Sequence, residues 1–382
     1  MSFQSGWSEA ALTPGDLVVP FADVPEVYRI RKLTDGAFRE IEAELALSGG
    51  RPAARSVLPV SLPGEANVAG QPWHVFLDLP RLNASDATGL RIAAWSRPWL
   101  PVAVYASPAT SGYSLRTTIA EQAIAGTLAT ALQPGDMGRW DERHAVEVQL
   151  FSGSLASAGE ALALGGANAA AVRSANGQWE VLQFANAQEV SAGVWRLSRL
   201  LRGQLGTNDA AHAGAVAGTE FVLLDSAVVS AGLTAAEAEL VLNWKVGPVG
   251  KDFTDRYFAS EAAGPAQRAR RSYSPVHLKA KALADGSLGV GWIRRGSFDG
   301  DGWDAVDIAL PKGVENYQIR VLGAGTELKR SLTVASAGWI YPAADMLSDF
   351  GAGASTGVIE VSQVGVDGLP GFAAAISISI EV

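Results

Sequence analysis

The sequence predicts a mainly β protein built from more than one domain. Turn-forming dipeptides separate apolar and polar runs at Asp35-Gly36, Asn176-Gly177 and Asp285-Gly286, and such dipeptides are the strongest short-range signal for a β-hairpin. The 382 residues include 42 glycines and 18 prolines, with 48% hydrophobic and 18% charged residues, which is typical of short strands joined by many turns. Because one core rarely serves a chain this long, we expect two or three domains.

Residues 1–50 are predicted to form a β-hairpin segment that turns at Asp35-Gly36. A lone hairpin buries too little surface to be stable, so this segment either completes a sheet of another protein or subunit or packs on the next domain. Glu40, Glu42 and Glu44 alternate along its second strand, which is typical of a solvated face. A glycosidase pair would instead need one carboxylate in an apolar pocket.

Composition divides the remainder into four parts. Residues 51–72 are rich in Gly, Pro, Ala and Ser and are predicted to be a linker, followed by a central β-domain over residues 73–245. Residues 246–274 are predicted to be a second linker, whose basic cluster of Arg268, Arg270 and Arg271 forms either a solvated patch or an interdomain ion pair. Residues 275–382 contain about seven short strands, the pattern of a β-sandwich.

The central domain is organised around residues 179–207. Asn176-Gly177 predicts a hairpin, and a third strand follows in which Trp195, Leu197 and Leu201 should share one face. Gly203 and Gly206 allow backbone conformations closed to other residues, so Arg202-Gly-Gln-Leu-Gly-Thr207 is predicted to be a shaped turn. Together these segments predict a three-stranded meander.

The sequence of this stretch contains Trp-Glu-Val-Leu-Gln-Phe-Ala and then Trp-Arg-Leu-Ser-Arg-Leu-Leu-Arg-Gly-Gln-Leu-Gly-Thr. It resembles the C-terminal region of the baseplate hub ("megatron") proteins of gene transfer agents and related tailed siphophages. Phe76–Pro80 and Pro98-Trp99 match further segments of that family. The resemblance implies structural roles for Arg202, Gly203, Gln204, Gly206 and Thr207. Residues 1–50 would then complete a hub β-domain, which in the family follows a long N-terminal portion.

Residues 275–382 resemble a fibronectin type III module. The features that carry this resemblance are Ser274-Pro275, Trp292, Glu315-Asn-Tyr317 and Val361-Ser-Gln-Val-Gly365. The spacing from Trp292 to Tyr317 is longer than usual, which leaves the middle strands less well defined.

These resemblances imply a tail-tip protein of a virion, acting in tail assembly and host attachment. Its partners would be hub and distal tail proteins in a threefold arrangement, with a host surface glycan or receptor at its tip. An alternative is a glycan-binding adhesion module that recognises a cell-surface polysaccharide, and a third is a polysaccharide-cleaving enzyme. We expect no enzyme activity and no cofactor, since the sequence holds neither a P-loop nor a His-Glu-x-x-His motif.

Charge and composition exclude several classes. A net charge of −9 and a pI near 5.1 argue against a nucleic-acid binder, because phosphate binding needs a basic face. The absence of cysteine excludes disulfides and thiolate metal sites. We expect neither a signal peptide nor a transmembrane segment, since no apolar run reaches about 18 residues, and synthesis in the host cytoplasm would fit this pattern.

Two weak candidate sites remain. Asp299, Asp301, Asp304 and Asp307 lie in one glycine-containing loop and could supply oxygen ligands to a hard cation such as calcium, but the loop lacks the full EF-hand pattern and an exposed Asp-Gly turn is the alternative. Trp95, Trp99, Tyr105 and Tyr113 lie near prolines and could stack on sugars, with core packing as the alternative. The four histidines, His74, His144, His212 and His277, are widely separated, so a core or surface role is expected for each.

Overall fold

Strands dominate the computed structural model, which describes residues 1–6, 11–21, 26–46, 70–82, 88–264, 267–296, 315–365 and 368–381. The predicted mainly β, multi-sheet class is confirmed. The chain divides into two compact units, Met1–Val68 and Ala69–Val382. Within the described ranges no helix is long and apolar enough to cross a membrane.

The first unit is a four-stranded antiparallel sheet. Its strands are β1 (Ser2–Ser5), β2 (Leu17–Val18), β3 (Tyr28–Asp35) and β4 (Arg39–Leu45), in the order β1-β4-β3-β2. The predicted hairpin at Asp35-Gly36 is confirmed, and it gains a neighbouring strand on each side from within its own unit. Its buried apolar side chains are Ile30, Ile41 and Ala43.

The predicted solvated face of β4 is also confirmed. Glu40, Glu42 and Glu44 are all exposed, because successive side chains of a strand point to opposite faces. Glu44 pairs with Arg31 at 2.6 Å and Glu42 with Lys32 at 3.8 Å. This alternation gives the sheet one charged face and one apolar face.

The second unit begins with a two-sheet structure that we call the first sandwich. Its strands are β5 (Trp73–Asp78), β6 (Leu90–Trp95), β7 (Val102–Ser107), β8 (Ser114–Ile119), β15 (Val229–Ser230), β16 (Leu242–Pro248) and β17 (Ala259–Ala263). One sheet has the order β15-β6-β5 and the other β17-β16-β7-β8. Trp244 on β16 is fully buried between them, with Ile92, Val104 and Ile119 in the same core.

A closed six-stranded barrel is inserted between β8 and β15. Its strands are β9 (Ala125–Leu128), β10 (Trp140–Leu150), β11 (Ala169–Arg173), β12 (Trp179–Ser191), β13 (Val194–Gln204) and β14 (Glu220–Leu223), with the short helices α1 (Glu160–Leu164) and α2 (Asn208–Ala213). The order around the barrel is β10-β13-β12-β11-β14-β9. The predicted meander is thereby confirmed as β11, β12 and β13.

One prediction within the meander was wrong. Leu201 does not share the inward face of Trp195 and Leu197; Leu200 packs in the barrel core instead. Arg199 has a φ of 56°, and the pairing register of β13 with β10 shifts nearby. Residues 142–144 of β10 lie opposite the single residue Arg199 of β13, and the alternation of faces along β13 is offset by one residue beyond this bulge.

The barrel packs on the outer face of the three-stranded sheet of the first sandwich. Val75, Leu77 and Ala93 of that sheet share one buried apolar cluster with barrel residues that include Trp179 and Val222. Meanwhile Phe76, between Val75 and Leu77, packs into the sandwich core against Trp244, with ring centroids 4.7 Å apart. Strand β5 is therefore covered by apolar groups on both faces.

The C-terminal part is a second sandwich. Its strands are β18 (Val276–Ala282), β19 (Leu288–Ile293), β20 (Tyr317–Leu322), β21 (Leu328–Val334), β22 (Gly338–Tyr341), β23 (Ala354–Val364) and β24 (Pro370–Glu381), with helix α3 (Ala343–Phe350). The sheets have the orders β18-β19-β22 and β21-β20-β23-β24. This arrangement is the fibronectin type III-like sandwich predicted for this part, and Trp292 lies in its core as expected.

The stretch predicted to be the second linker contains ordered structure. Strand β17 lies within residues 246–274 and pairs with β16, so the first sandwich ends inside that stretch. A short 3-10 helix, Arg268–Arg270, follows. Most of the predicted linker at residues 51–72 lies outside the described residues.

Candidate functional site in the barrel

The strongest concentration of buried polar groups lies where β12 and β13 end their pairing. Glu180 lies on the same face of β12 as Leu182 and Phe184, which belong to the barrel core. Beyond the bulge at Arg199, Arg202 follows Leu200 onto the inward face of β13. Both charged side chains are therefore directed into the barrel.

Arg202 and Glu180 form a bidentate ion pair with no exposure to solvent. The Nε of Arg202 donates to Oε1 of Glu180 at 2.6 Å and its Nη2 donates to Oε2 at 2.9 Å. The remaining Nη1 donates to the Gln133 carbonyl oxygen at 2.9 Å. Both side chains have a relative exposure of 0%, and charges buried this deeply persist only when they are paired and hydrogen-bonded.

Asp141 extends the pair toward the surface. Its Oδ2 lies 3.5 Å from Nη1 of Arg202 and 2.8 Å from Nδ1 of His144, while its Oδ1 accepts the main-chain amides of Arg143 and His144 at 3.1 Å. Burial acts to raise the pKa of Asp141, but the hydrogen bonds from His144 and the charge of Arg202 outweigh it, so the pKa lies below its ordinary value. Asp141 is thus held as a carboxylate.

The turn that follows Arg202 completes the network with main-chain groups. The Gly203 amide donates to Oε1 of Glu180 at 3.1 Å. The Thr207 hydroxyl accepts the Val181 amide at 3.0 Å and donates to the Gln204 carbonyl oxygen at 2.8 Å. Gly203 and Gly206 have φ values of 58° and 77°, which confirms the predicted shaped turn. We call Arg202, Glu180, Asp141, His144 and Thr207 the barrel network.

The same turn contacts the segment that leads into the second sandwich. A Cβ at Gly206 would lie 2.3 Å from the Tyr273 ring, so only glycine fits there. Arg268, with 1% of its side chain exposed, donates to Asp209 of α2 at 2.5 Å and lies 4.2 Å from the centroid of the Phe372 ring on β24. Of the two alternatives for the basic cluster, the interdomain ion pair is the one observed.

Asp78 fixes the other end of this junction. Its carboxylate on β5 accepts the amides of Gln267 and Arg268 at 3.2 Å. Burial raises the pKa of Asp78, although these hydrogen bonds and the nearby arginines oppose the rise. The first sandwich, the barrel and the second sandwich therefore meet at Asp78, Asp209 and Arg268, each of which makes at least one hydrogen bond in the junction.

The barrel network is suited to holding geometry. The carboxylates of Glu180 and Asp141 are each occupied by two or more donors, and Arg202 is enclosed. In the described part of the chain, no group of three or more His, Asp or Glu side chains could hold a metal ion. A surface depression of about 300 Å³ opens beside the network, lined by residues that include Asp136, Arg139, Trp140 and His144.

The four aromatic side chains predicted as a glycan site fall into separate surroundings. Trp95 packs on Phe151 at 5.3 Å and donates to the Ser152 hydroxyl, and Trp99 donates to the Ala120 carbonyl oxygen. Tyr105 and Tyr113 both contact Phe253, at 5.5 and 5.8 Å between ring centroids. Only the two tyrosines are brought together.

The remaining predicted site residues are dispersed. The loop with Asp299, Asp301, Asp304 and Asp307 lies outside the described residues. His74 bonds to Glu261 at 2.7 Å across the edge of the first sandwich. Among the histidines only His144 belongs to the barrel network.

A serine motif in the second sandwich does not form a nucleophile site. Gly353-Ala-Ser355-Thr-Gly357 has the Gly-x-Ser-x-Gly spacing of a hydrolase elbow, which requires a sharp turn from a strand into a helix. Here the order is reversed, since α3 precedes the motif and Ser355 lies within β23, paired with Ile380 of β24. Ser355 is therefore an ordinary strand residue.

Glu180, Asp141 and His144 were not predicted as site residues. The available signal for Glu180 was a single carboxylate inside the apolar run Trp-Glu-Val-Leu-Gln-Phe, where a buried strand would otherwise carry none. For Asp141 and His144 we find no local signal, because their partner Arg202 lies about sixty residues away in sequence.

Comparison with known proteins finds a family to which the barrel region is similar. Residues 123–222 match the family described as "Rcc01698-like, C-terminal", a span that coincides with strands β9 to β14. No curated protein matches the chain. The family match thus covers the barrel and not the two sandwiches.

Three solved structures match this chain with low sequence identity and low TM-scores. Domains d3–d4 of the rat CD45 extracellular region are 12% identical over 36% of this chain and 62% of that chain, less than two thirds of its length, with a TM-score of 0.21. The chicken interferon gamma receptor alpha chain is 8% identical over 66% of this chain and 100% of that chain, with a TM-score of 0.22. Domains FN1–FN3 of chicken CNTN1 are 10% identical over 82% and 100%, with a TM-score of 0.21. None of these similarities bears on function.

Proposed function

We propose that this chain is a structural component of the tail tip, or baseplate hub, of a tailed phage or gene transfer agent. The observation that carries the proposal is the family match over residues 123–222, since the matched span is the closed barrel and contains the Arg202–Thr207 turn. The protein after which that family is described is of the gene transfer agent type. The motif that suggested the tail-tip family thus forms the centre of the barrel network.

The surroundings of the barrel fit a part that holds geometry. Leu77 and its neighbours bury the barrel against the first sandwich, and Arg268 ties α2 to the second sandwich through Asp209 and Phe372. A barrel held on both sides in this way keeps the two sandwiches in a fixed arrangement. Its chemistry, in this proposal, is strand pairing and interface burial rather than catalysis.

The partners in this proposal are other tail and baseplate proteins, with three copies of the chain around the tail axis. The sheet of the first unit would form the joint with the hub, and the protein would be made in the host cytoplasm and reside in the virion. Deleting residues 1–46 should then abolish association with the hub while the second unit stays folded. Unchanged incorporation of the deleted chain would exclude this joint.

The proposal is tested by locating the chain in purified particles. A label fused to the C-terminus should appear as threefold density at the distal tail tip by electron cryo-microscopy, and disappear in particles lacking the gene. A chain that is absent from particles, or found in the capsid, would overturn the proposal. Arg202→Ala serves as a second arm, since particles should incorporate less of a chain whose barrel is destabilised.

A glycan-binding function is the second candidate, favoured by one aromatic patch. Tyr105, Tyr113 and Phe253 are half-buried, and both tyrosines contact Phe253. Lys245 lies 5.4 Å from the Tyr113 ring centroid. Rings exposed on one face can stack on sugars. Phe253→Ala should weaken binding of host surface polysaccharide, measured by calorimetry, whereas Trp99→Ala should not; equal binding by all three proteins would exclude the patch.

A further inference from the structure

The last strand of the second sandwich forms a long sheet edge. Strand β24 runs for twelve residues, Pro370–Glu381, and pairs with β23 on one side only. At its start, the Phe372 amide points away from β23 and donates to the Ser272 carbonyl oxygen at 3.1 Å. The Val364 amide donates to the Asn316 carbonyl oxygen, so the even-numbered residues of β23 direct their main-chain groups to β20 and the odd-numbered ones to β24. The residues of β24 opposite those odd-numbered ones are Ala374, Ile376, Ile378 and Ile380, which leaves the main-chain groups of Ala373, Ala375, Ser377 and Ser379 facing away from β23. None of the described residues hydrogen-bonds to those groups.

This edge lacks the protection that the comparable edges carry. Natural sheets block unwanted pairing with short edge strands, charges or prolines. In the four-stranded sheets of the two sandwiches, the other outer strands all carry charge: Arg116 on β8, Glu261 on β17, and Lys329 and Arg330 on β21. On β24, Pro370 protects only the beginning, and residues 371–380 contain no charged side chain.

The side chains along this edge suit pairing with an identical strand. Ala373, Ala375, Ser377 and Ser379 alternate on the outer face, while Ile376, Ile378 and Ile380 pack toward the core. In an antiparallel pair formed about a twofold axis, these small uncharged side chains would lie opposite one another with no like charges in contact. A twofold contact is self-complementary by symmetry.

We propose that residues 374–380 of β24 pair antiparallel with the same residues of a second copy of this chain about a twofold axis at Ser377, joining two C-terminal sandwiches through a continuous eight-stranded sheet. This contact is independent of the function proposed above. A twofold contact links two chains, so three copies around one threefold axis cannot all use it among themselves. The inference therefore concerns the purified chain in solution.

Sedimentation equilibrium of the purified full chain tests the pairing. The wild type should show a concentration-dependent dimer. Ser377→Lys places a charge on the outer face of the edge and should raise the dimer dissociation constant about fivefold or more. The matched control is Ser331→Lys, which changes another exposed serine, on β21 at the opposite edge of the same sheet, and it should leave the dimer unchanged.

Two further variants separate pairing from misfolding. Ala375→Pro removes an amide that faces away from β23, so it should spare the intramolecular ladder and raise the dissociation constant on the order of thirtyfold. Because the chain has no cysteine, Ser377→Cys supplies one thiol per copy and should form an intermolecular disulfide under mild oxidation, whereas Ser331→Cys should not. Circular dichroism confirms that each variant is folded.

The possible outcomes decide the proposal. A dimer that is weakened by Ser377→Lys and Ala375→Pro and retained by Ser331→Lys supports it. A monomer at all concentrations overturns it, as does a dimer that is indifferent to both β24 variants. Capture of a different tail protein by β24 in place of a second copy would also overturn it, because the edge would then serve another occupant.

Discussion

The two sandwiches have the same strand connectivity but differ in which sheet faces and edges remain exposed. Strands β5, β6, β7, β8, β15, β16 and β17 connect in the same order as β18 to β24. Between its fourth and fifth strands the second sandwich has only residues 335–337, whereas the first has the entire barrel. An insertion at a surface turn leaves the ladders of the host domain intact.

The insertion changes the role of the first sandwich. Its three-stranded sheet has an outer face buried beneath the barrel through Leu77, and its last strand is five residues long with Glu261 at its centre. The corresponding sheet of the second sandwich leaves Ile293 and Ile340 more than half exposed, and its last strand has twelve residues. The same connectivity thus gives a scaffold for the barrel in the first sandwich and exposed surfaces in the second sandwich.

The largest difference in stability is expected between breaking a buried ion pair of the barrel and breaking a surface ion pair of the second sandwich. Arg202→Ala should lower the free energy of unfolding by about 4 kcal/mol, because it leaves Glu180 buried and without its partner. The control is Arg320→Ala, which removes a surface pair with Glu360 and should cost less than about 1 kcal/mol. Urea unfolding followed by tryptophan fluorescence measures both, and equal losses would show that the barrel network is dispensable.

The next difference concerns the outer faces of the two three-stranded sheets. Leu77→Ala opens a cavity under the barrel and should cost about 3 kcal/mol. Ile340→Ala, at a position with 59% exposure in the second sandwich, should change stability by less than about 0.5 kcal/mol. Thermal unfolding compares them, and a large loss at Ile340 would mean that its face is covered in solution.

A smaller difference is expected between two glycines with similar φ values. Gly206→Ala should cost about 2 kcal/mol, because a methyl group would add a clash with the Tyr273 ring to the strain of a positive φ. Gly177, at φ 79°, has no atom within 4 Å of the place that a Cβ would occupy, so Gly177→Ala should cost only about 1 kcal/mol. Equal melting temperatures would argue against close packing at the junction.

Local turn chemistry explains which parts of the fold could be predicted. Asp35-Gly36, Asn176-Gly177 and Asp285-Gly286 each specify a hairpin through two residues, and all three hairpins form. Barrel closure was not predictable in this way, because β9 pairs with β14 across about ninety residues. Strand β17, Ala-Ser-Glu-Ala-Ala, has weak β propensity and forms by pairing with β16, so its composition suggested a linker.

The barrel network likewise has residues that the sequence could identify and partners that only the folded structure reveals. The resemblance singled out Arg202, Gly203 and Thr207, but their roles depend on the bulge at Arg199, which a strict two-residue period cannot reveal. A one-residue shift sends every later side chain to the opposite face. The partner Glu180 becomes recognisable only when both strands are in register.

The smallest effect should be a difference between the barrel and the second sandwich in how their free energy of unfolding depends on pH. The pKa of Asp141 is lower in the folded protein than its ordinary value near 3.9. The unfolded chain therefore binds the proton more readily, so the stability that Asp141 contributes is present above about pH 4 and is lost as the pH falls through the folded pKa. Asp141→Asn should flatten this acid limb, by less than the roughly 1.4 kcal/mol per pH unit of one whole proton.

Asp349 supplies the matched comparison in the second sandwich. Burial acts to raise the pKa of Asp349, but the hydrogen bonds from Arg330 and Tyr341 lower it by more. The pKa of Asp349 is therefore also below its ordinary value. Asp349→Asn should therefore flatten the acid limb of the second sandwich and leave that of the barrel unchanged. Hydrogen exchange between about pH 2 and 5, resolved by segment, separates the two limbs. If both substitutions altered both limbs alike, the junction at Arg268 would couple barrel and second sandwich into one cooperative unit, and their difference would be confined to their surfaces.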